Sequence, residues 1–291
     1  MVKCSDMIAT TLRQLARVVT PLIVIIALPG ACSGAWAADA SSWDGDARVG
    51  LRLLSGARTR SAGIRAGLEI KLAPGWKTYW RYPGDSGVPP RFDFAGSQNV
   101  KDVTVAWPAP HRFSDDSGIT IGYKDDVIFP LHVVPQDPGK PVRLRVKADY
   151  AICEKICIPA EGRAELLLDG RAAEFDQSLA AFEAQVPQRA RIGDVAPLAV
   201  RAVRRDNSGN RPRVIVDVAA PGSGPVELFA EGPTPDWALP VPEPIAGAPA
   251  GLHRFAFVLD GLPPGASASG AELTLTLVAD GSAVEVATHL D

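Results

Sequence analysis

Two cysteines, Cys153 and Cys157, are the residues of this sequence whose type and spacing most directly indicate chemistry. Three residues separate the two sulfurs. A bridge across so short a loop stabilises a fold by only about 2 kcal/mol in the chain-entropy model, whereas a loop of about 100 residues gains nearly 5 kcal/mol. Neighbouring cysteines in a tight turn suit a bridge that opens and closes while the domain stays folded. We therefore interpret Cys153 and Cys157 as a redox couple.

The residues alone do not decide which sulfur reacts first. In thiol–disulfide exchange, one sulfur forms a mixed disulfide with the partner and the other resolves it. Lys155, between the cysteines, favours a thiolate, and Glu154 opposes it. The neighbouring charges therefore do not select the attacking cysteine.

Two other interpretations of the cysteine pair stay open at this level. One is a fixed hairpin disulfide that never turns over. The other is a copper-binding chaperone, because two thiolates and a histidine can hold copper. The candidate histidines are His111, His132, His253 and His289. None is near the cysteines in sequence, and Met1 and Met7 are the only methionines. We predict no metal site and no cofactor.

Residues 1–37 have the features of a secretory signal peptide. A basic flank precedes a mainly apolar run at residues 18–28, and small residues Ala35 and Ala37 stand where a signal peptidase cuts. The run is shorter than the roughly 20 residues of a membrane-spanning helix, which favours cleavage over a retained anchor. A lipoprotein attached at Cys32 is the minor alternative.

Export to the periplasm agrees with the redox interpretation, because disulfides persist in oxidising compartments. Loss of the signal removes Cys4 and Cys32 and leaves one cysteine pair. It also changes the formal net charge from −3 to about −5. An acidic chain is a poor ligand for nucleic acid, so we predict proteins as partners.

Short segments that alternate apolar and polar residues predict β-strands on both sides of one helical pattern. Residues 46–169 and 195–291 contain these segments, for example at 48–53, 67–72, 142–148, 213–218 and 273–277. Apolar residues recur every three or four positions from 172 to 186, which predicts an amphipathic helix. The fold class predicted is all-β, with two antiparallel β-sandwich domains joined by a helical connector at 170–190. The Pro-rich residues 232–249 predict a surface loop.

A polar, glycine-flanked segment at residues 115–123 is a candidate shield for the cysteine pair. It contains Asp115 and Asp116, followed by Ile119, Ile121 and Tyr123. An exposed disulfide needs protection from unspecific exchange, and an isoleucine at the tip of a flap supplies apolar cover. An ordinary surface loop is the alternative. Tyr150 is a candidate support for the pair.

Three motifs together resemble the N-terminal periplasmic domain of the thiol:disulfide interchange protein DsbD, and most closely the variants in ScsB proteins. They are residues 74–90, residues 121–131, and Tyr150 with Cys153, Cys157 and Pro159. The resemblance covers roughly residues 47–168 and implies an immunoglobulin-like sandwich that relays reductant. The implied donor is a membrane-embedded protein with a thioredoxin-like domain. The implied acceptors are periplasmic disulfide-bonded proteins such as disulfide isomerases or cytochrome c maturation factors.

This sequence departs from the family in three respects. Family members continue into a transmembrane segment and a thioredoxin-like domain, so we expect the electron donor to be a separate chain. The best-studied members space their cysteines more widely, and their capping loop has an aromatic tip where this chain offers Ile119 and Ile121. The resemblance implies a component of a protein-disulfide reductase with Cys153 and Cys157 as its reactive pair.

Overall fold

The computed structural model describes residues 38–60, 63–84, 87–115, 118–209 and 211–290. In these residues the regular secondary structure is almost entirely β-strand, with a short α-helix, α1, at Asp176–Glu183. The predicted all-β sandwich fold is confirmed. The predicted signal peptide at residues 1–37 lies outside the described residues.

The strands of the described residues up to 168 form two sheets. They are β1 (Asp44–Gly45), β2 (Val49–Arg58), β3 (Ile64–Leu72), β4 (Lys77–Gly84), β5 (Arg91–Asp93), β6 (Val100–Val105), β7 (His111–Asp115), β8 (Gly118–Lys124), β9 (Val127–Pro135), β10 (Val142–Cys153) and β11 (Cys157–Leu168). One sheet has the order β1-β2-β3-β9-β6, and the other has the order β11-β10-β4-β8-β7, with β5 paired to β10. The sheets pack face to face over a shared apolar core.

Strand β10 shows how sequence alternation determines the two faces of its sheet. Its even-numbered residues from Val142 to Ile152 are buried in the core against β2, β3 and β9. Its odd-numbered residues, such as Arg143 and Arg145, lie on the outer face, because successive side chains of a strand point to opposite sides. Cys153 is odd-numbered and therefore belongs to the outer face.

A second pair of sheets follows α1 in the described chain. Its strands are β12 (Gln188–Arg189), β13 (Ala199–Asp206), β14 (Arg213–Ala219), β15 (Val226–Glu231), β16 (Glu243–Pro244), β17 (His253–Val258), β18 (Glu272–Ala279) and β19 (Ser282–His289). The sheet orders are β12-β19-β18-β15 and β13-β14-β17-β16. Apolar residues of both pairs of sheets join one continuous cluster, and residues 37–291 form one compact unit. The domain boundaries stay a prediction.

Helix α1 is shorter than the pattern at residues 172–186 predicts. The Asp176 carboxylate accepts a hydrogen bond from the Ala173 amide at 2.9 Å, which closes a turn ahead of the helix. Leu179 is fully buried against the first pair of sheets, and Arg65 of β3 forms ion pairs with Asp176 and Glu183. The helix is thus packed on the first sandwich.

The Pro-rich residues 232–249 differ from the predicted surface loop. They contain little regular structure apart from β16. Trp237, Leu239 and Val241 are nevertheless buried, because alternate apolar side chains turn inward and join the core. The segment therefore runs along the surface, with part of its apolar side chains buried in the core.

Candidate redox site

The two cysteines face each other across a hairpin. β10 ends at Cys153, residues 154–156 make the turn, and β11 begins at Cys157. The two sulfurs are bonded, and the paired Cα atoms are 4.1 Å apart. Strand pairing continues without a break from this pair to Val142 and Leu168. Because the backbone ladder extends far beyond the bridge, we expect the hairpin to stay paired when the sulfurs separate.

Exposure distinguishes the two sulfur-bearing residues. Cys153 is 5% exposed, whereas Cys157 is exposed to solvent. Ile156, directly before Cys157, is 74% exposed at the tip of the hairpin. An attacking thiolate needs an open path to the sulfur that it attacks. Cys157 is therefore the more accessible residue of the pair.

Tyr79 of β4 is the side chain in direct polar contact with the pair. Its hydroxyl oxygen lies 3.0 Å from the sulfur of Cys157, and the residue is 1% exposed. A sulfur in a disulfide has no hydrogen, so the tyrosine hydroxyl is the donor. Tyr79, Ala151 and Cys153 together form a small buried cluster on the outer face of the sheet.

Strand β4 is held beside the hairpin by its own pairing with β10. Lys77 is the register partner of Cys153, and the Thr78 hydroxyl donates to the Ala151 carbonyl at 2.9 Å. Lys77 is 6% exposed and donates from Nζ to the Thr120 hydroxyl at 3.2 Å. The first residues of β4 thus lie directly beside the last residues of β10 at the cysteine site.

Comparison with known families assigns the segment that carries this site. Residues 54–169 match the family model described as thiol:disulfide interchange protein DsbD, N-terminal. This segment belongs to the DsbD N-terminal family. It is a thiol–disulfide interchange domain, and Cys153 and Cys157 within it are bonded to each other.

The fold of the chain also resembles a solved structure. It is similar to the crystal structure of the N-terminal periplasmic domain of ScsB from Proteus mirabilis, with a TM-score of 0.68 and 22% sequence identity. The similarity covers 87% of this chain and 99% of that chain, so it extends beyond residues 54–169 into the second pair of sheets. At this identity it establishes a shared fold. A search of curated proteins finds no match to the chain.

Three predicted site residues lie on the core side of the DsbD N-terminal domain, away from the sulfurs. Ile121 and Tyr123 of β8 are buried in the core, and the Tyr123 hydroxyl donates to the Pro108 carbonyl at 2.9 Å. Burial raises the pKa of Tyr123 well above its usual value. Tyr150 is 4% exposed in the same core, on the face of β10 opposite to Cys153. The structure does not bring these three side chains to the pair.

The predicted shielding segment begins at the far end of the sheet from the cysteines. Lys124 pairs with Lys77 and so lies at the level of Cys153. Gly118, which pairs with Asp115, is about six residues further along β8, roughly 20 Å at the usual strand rise. Ile119 is partly buried against the core. Asp116 lies outside the described residues, and shielding by this segment stays a prediction.

Tyr150 has a buried hydroxyl without a hydrogen-bond partner in the described residues. Burial, followed by the charges of Asp44 and Asp46, raises its pKa to about 12. The unfolded chain ionises this tyrosine near pH 10, so stability present below pH 10 is lost as the pH rises towards 12. We expect Tyr150→Phe to raise the free energy of unfolding by about 1 kcal/mol at pH 7 and to reduce the alkaline loss. Urea titrations at pH 7 and pH 11 measure both effects.

Lower stability of Tyr150→Phe at pH 7 would contradict this prediction. It would mean that the hydroxyl makes a favourable contact in the folded protein. Phe is the matched replacement because it keeps the aromatic ring and its packing.

Within the described residues, no group of three or more His, Cys, Asp or Glu side chains is arranged to hold a metal ion. In the same part of the chain, no helix has the length and apolar character of a membrane span.

Proposed function

We propose that this protein is a periplasmic thiol–disulfide exchange protein that relays reducing equivalents through Cys153 and Cys157. The observation that carries the proposal is a bonded pair of one exposed and one buried cysteine, in a domain of the DsbD N-terminal family. The predicted signal peptide and the periplasmic origin of the similar ScsB domain support the compartment. The proposed donor is a thioredoxin-like domain of a membrane-embedded protein on a separate chain.

In the first half of the relay, the protein accepts two electrons. A thiolate of the donor attacks the sulfur of Cys157, the Cys153–Cys157 bond breaks, and Cys153 leaves as a thiolate that takes up a proton. The donor's second thiolate then attacks the donor's first sulfur in the mixed disulfide. Cys157 leaves as a thiolate and takes up a proton, so the donor becomes a disulfide and the pair becomes two thiols.

In the second half, the protein passes the two electrons on. The Cys157 thiolate attacks a disulfide of the acceptor and releases one acceptor thiolate. Cys153 loses its proton and attacks the sulfur of Cys157, which restores the internal bridge and releases the second acceptor thiolate. The proposed acceptors are periplasmic disulfide-bonded proteins of the disulfide isomerase or cytochrome c maturation type.

We assign Cys157 as the cysteine that the partner attacks, because it is the more accessible of the two. The partner must bring its own sulfur within bonding distance along the axis of the bond that breaks, and Cys157 is exposed whereas Cys153 is buried beside Tyr79. The exposed Ile156 gives the partner an apolar contact next to the reacting sulfur. Cys153 is correspondingly the resolving residue.

A redox titration tests whether the bridge turns over. The wild-type protein is equilibrated with glutathione at a series of reduced-to-oxidised ratios, free thiols are alkylated, and their number is measured by mass spectrometry. We expect a single reversible two-thiol transition, with an unchanged circular dichroism spectrum because the ladder of β10 and β11 does not depend on the bridge. A bridge that stays oxidised at every ratio, or a fold lost on reduction, would contradict the relay and favour a fixed disulfide.

A further inference from the structure

Strand β4 connects the cysteine site with the second pair of sheets. Tyr79 contacts Cys157, and the next three residues along the strand, Trp80, Arg81 and Tyr82, all contact residues beyond 225. A single short stretch of backbone therefore touches the reacting sulfur at one end and the second pair of sheets at the other.

Arg81 forms the strongest of these contacts. Its Nε donates to Oε2 of Glu231 at 2.9 Å, and its Nη2 donates to Oε1 of Glu231 at 2.7 Å and also to Glu285. Burial opposes the charge of Arg81, but the hydrogen bonds and charges of Glu231, then of Glu285, raise its pKa. A bidentate guanidinium–carboxylate pair fixes direction as well as distance. Arg81 is thus held in one orientation.

The neighbours of Arg81 reinforce this attachment. The Tyr82 hydroxyl donates to the Leu239 carbonyl at 2.6 Å, and the Trp80 ring packs against Phe229 with 5.8 Å between ring centroids. Trp80 is fully buried. Polar and apolar contacts therefore hold the same three residues.

The strand pairing of β4 explains why the contacts made by Trp80, Arg81 and Tyr82 affect the position of Tyr79. β4 pairs regularly with β8 at Lys77, Thr78 and Tyr79, and the register then shifts before Gly84. The pairing of β4 with β10 involves Lys77 and Thr78 alone among the described residues. Residues 80–83 thus lack a regular ladder, and contacts from the second pair of sheets take its place.

We propose that Arg81 is a positioning residue for thiol exchange, which holds β4 through Glu231 and Glu285 so that the Tyr79 hydroxyl reaches Cys157. The second pair of sheets then acts on the reactivity of the cysteine pair in addition to its own folding. This inference rests on the proposed exchange function. It gives the second pair of sheets a role that needs no contact with either sulfur.

Alkylation of the reduced protein tests the proposal. In the reduced state, the Tyr79 hydroxyl donates to the Cys157 thiolate, and hydrogen bonds to a charged acceptor weaken steeply with misalignment. We expect Arg81→Met to lower the rate of Cys157 alkylation by iodoacetamide at pH 7 about three- to tenfold. Arg81→Lys is expected to recover part of the rate, because it keeps the charge but not the bidentate geometry.

A matched control separates positioning from a general loss of stability. Arg254 forms a similar bidentate pair with buried Asp217 inside the second pair of sheets. We expect Arg254→Met to destabilise the fold as Arg81→Met does, with no change in the alkylation rate of Cys157. Glu285→Gln is a milder substitution, because it leaves the bidentate pair of Arg81 with Glu231 intact. We expect it to lower the alkylation rate of Cys157 less than Arg81→Met does.

The double variant that combines Arg81→Met with Tyr79→Phe gives the decisive result. If Arg81 acts through the tyrosine hydroxyl, Arg81→Met changes the rate in the wild-type background and has no further effect in Tyr79→Phe. A full Arg81→Met effect in Tyr79→Phe, or an equal effect of Arg254→Met, would overturn the proposal. Iodoacetamide replaces the partner in this assay, so its outcome is independent of whether the cysteines exchange with another protein.

Discussion

Cys153→Ser protein is expected to accumulate a stable mixed disulfide at Cys157, whereas Cys157→Ser protein is expected to accumulate none. Without Cys153, no internal thiol can attack the mixed disulfide. Intramolecular attack by a well-placed group has an effective molarity of about 10⁵ M or more, far above the millimolar thiol that would replace it. Because even an effective molarity of about 1 M exceeds millimolar thiol by about 10³-fold, we expect the lifetime of the mixed disulfide to increase by at least that factor. Without Cys157, the remaining sulfur is buried beside Tyr79.

A defined probe makes this measurement independent of cell extracts. A thioredoxin-like domain that retains only its exposed cysteine is activated as the thionitrobenzoate mixed disulfide and added to each reduced variant. Non-reducing electrophoresis follows the adduct, and peptide mass spectrometry locates the joined cysteines. The Cys153→Ser, Cys157→Ser double variant is the control for non-covalent association.

Two results would count against the assignments. Faster trapping by Cys157→Ser than by Cys153→Ser would reverse the order of the sulfurs and contradict the access argument. An absence of adduct in both single variants would remove the exchange proposal. Retention of the circular dichroism spectrum in each variant shows that the comparison is made between folded proteins.

Alternation along the strands made most of the first sandwich predictable. In β10, a period of two over residues 142–148 defines which side chains enter the core, and the structure extends the same pattern to Cys153. The spacing of Cys153 and Cys157 likewise suffices to place them opposite each other once a hairpin forms between them. These features are local, since they depend on residues close together in the chain.

Tyr79 was not predicted at the site because its contact is not local. Alternation indicates which residues of a strand are buried, but it does not indicate which strand lies beside which. The Tyr79 hydroxyl meets Cys157 because β4 pairs with the last residues of β10, far along the sequence. The next residue of the strand, Trp80, is instead fully buried in the core.

The alternation of side chains along a strand also predicts the face of β10 on which Tyr150 lies. Tyr150 and Cys153 are three positions apart in one continuous strand, and an odd offset puts their side chains on opposite faces. For Ile121 and Tyr123 no such relation existed, because the face that they occupy depends on the pairing of β8 with β4. The sequence therefore places the two cysteines opposite each other but does not place the side chains around them.

Tyr79→Phe is expected to make Cys157 about tenfold less reactive at neutral pH. The substitution removes the hydroxyl that lies 3.0 Å from the sulfur and keeps the buried ring. A hydrogen bond to a charged acceptor contributes about 1.5–3 kcal/mol, and one such bond to a thiolate favours the ionised form. The pH midpoint of Cys157 alkylation should therefore rise by about one unit, and the rate at pH 7 should decrease about tenfold.

The pH profile distinguishes this effect from a change in access to the sulfur. Alkylation of the reduced protein by iodoacetamide is followed from pH 5 to pH 11, and mass spectrometry assigns the product to Cys157. Loss of the hydrogen bond shifts the midpoint and leaves the plateau at high pH nearly unchanged, because the thiolate is then fully formed in both proteins. A change in access would alter the plateau and leave the midpoint in place.

Tyr150→Phe is the matched control for Tyr79→Phe, since it removes a buried tyrosine hydroxyl on the opposite face of β10 from Cys153. Its profile for Cys157 should overlay that of the wild type. Equal shifts in both variants, or no shift in Tyr79→Phe, would show that the hydroxyl does not stabilise the thiolate. The contact between Tyr79 and Cys157 would then serve packing in the oxidised state, and the reactivity of the pair would depend on the exposure of Cys157 alone.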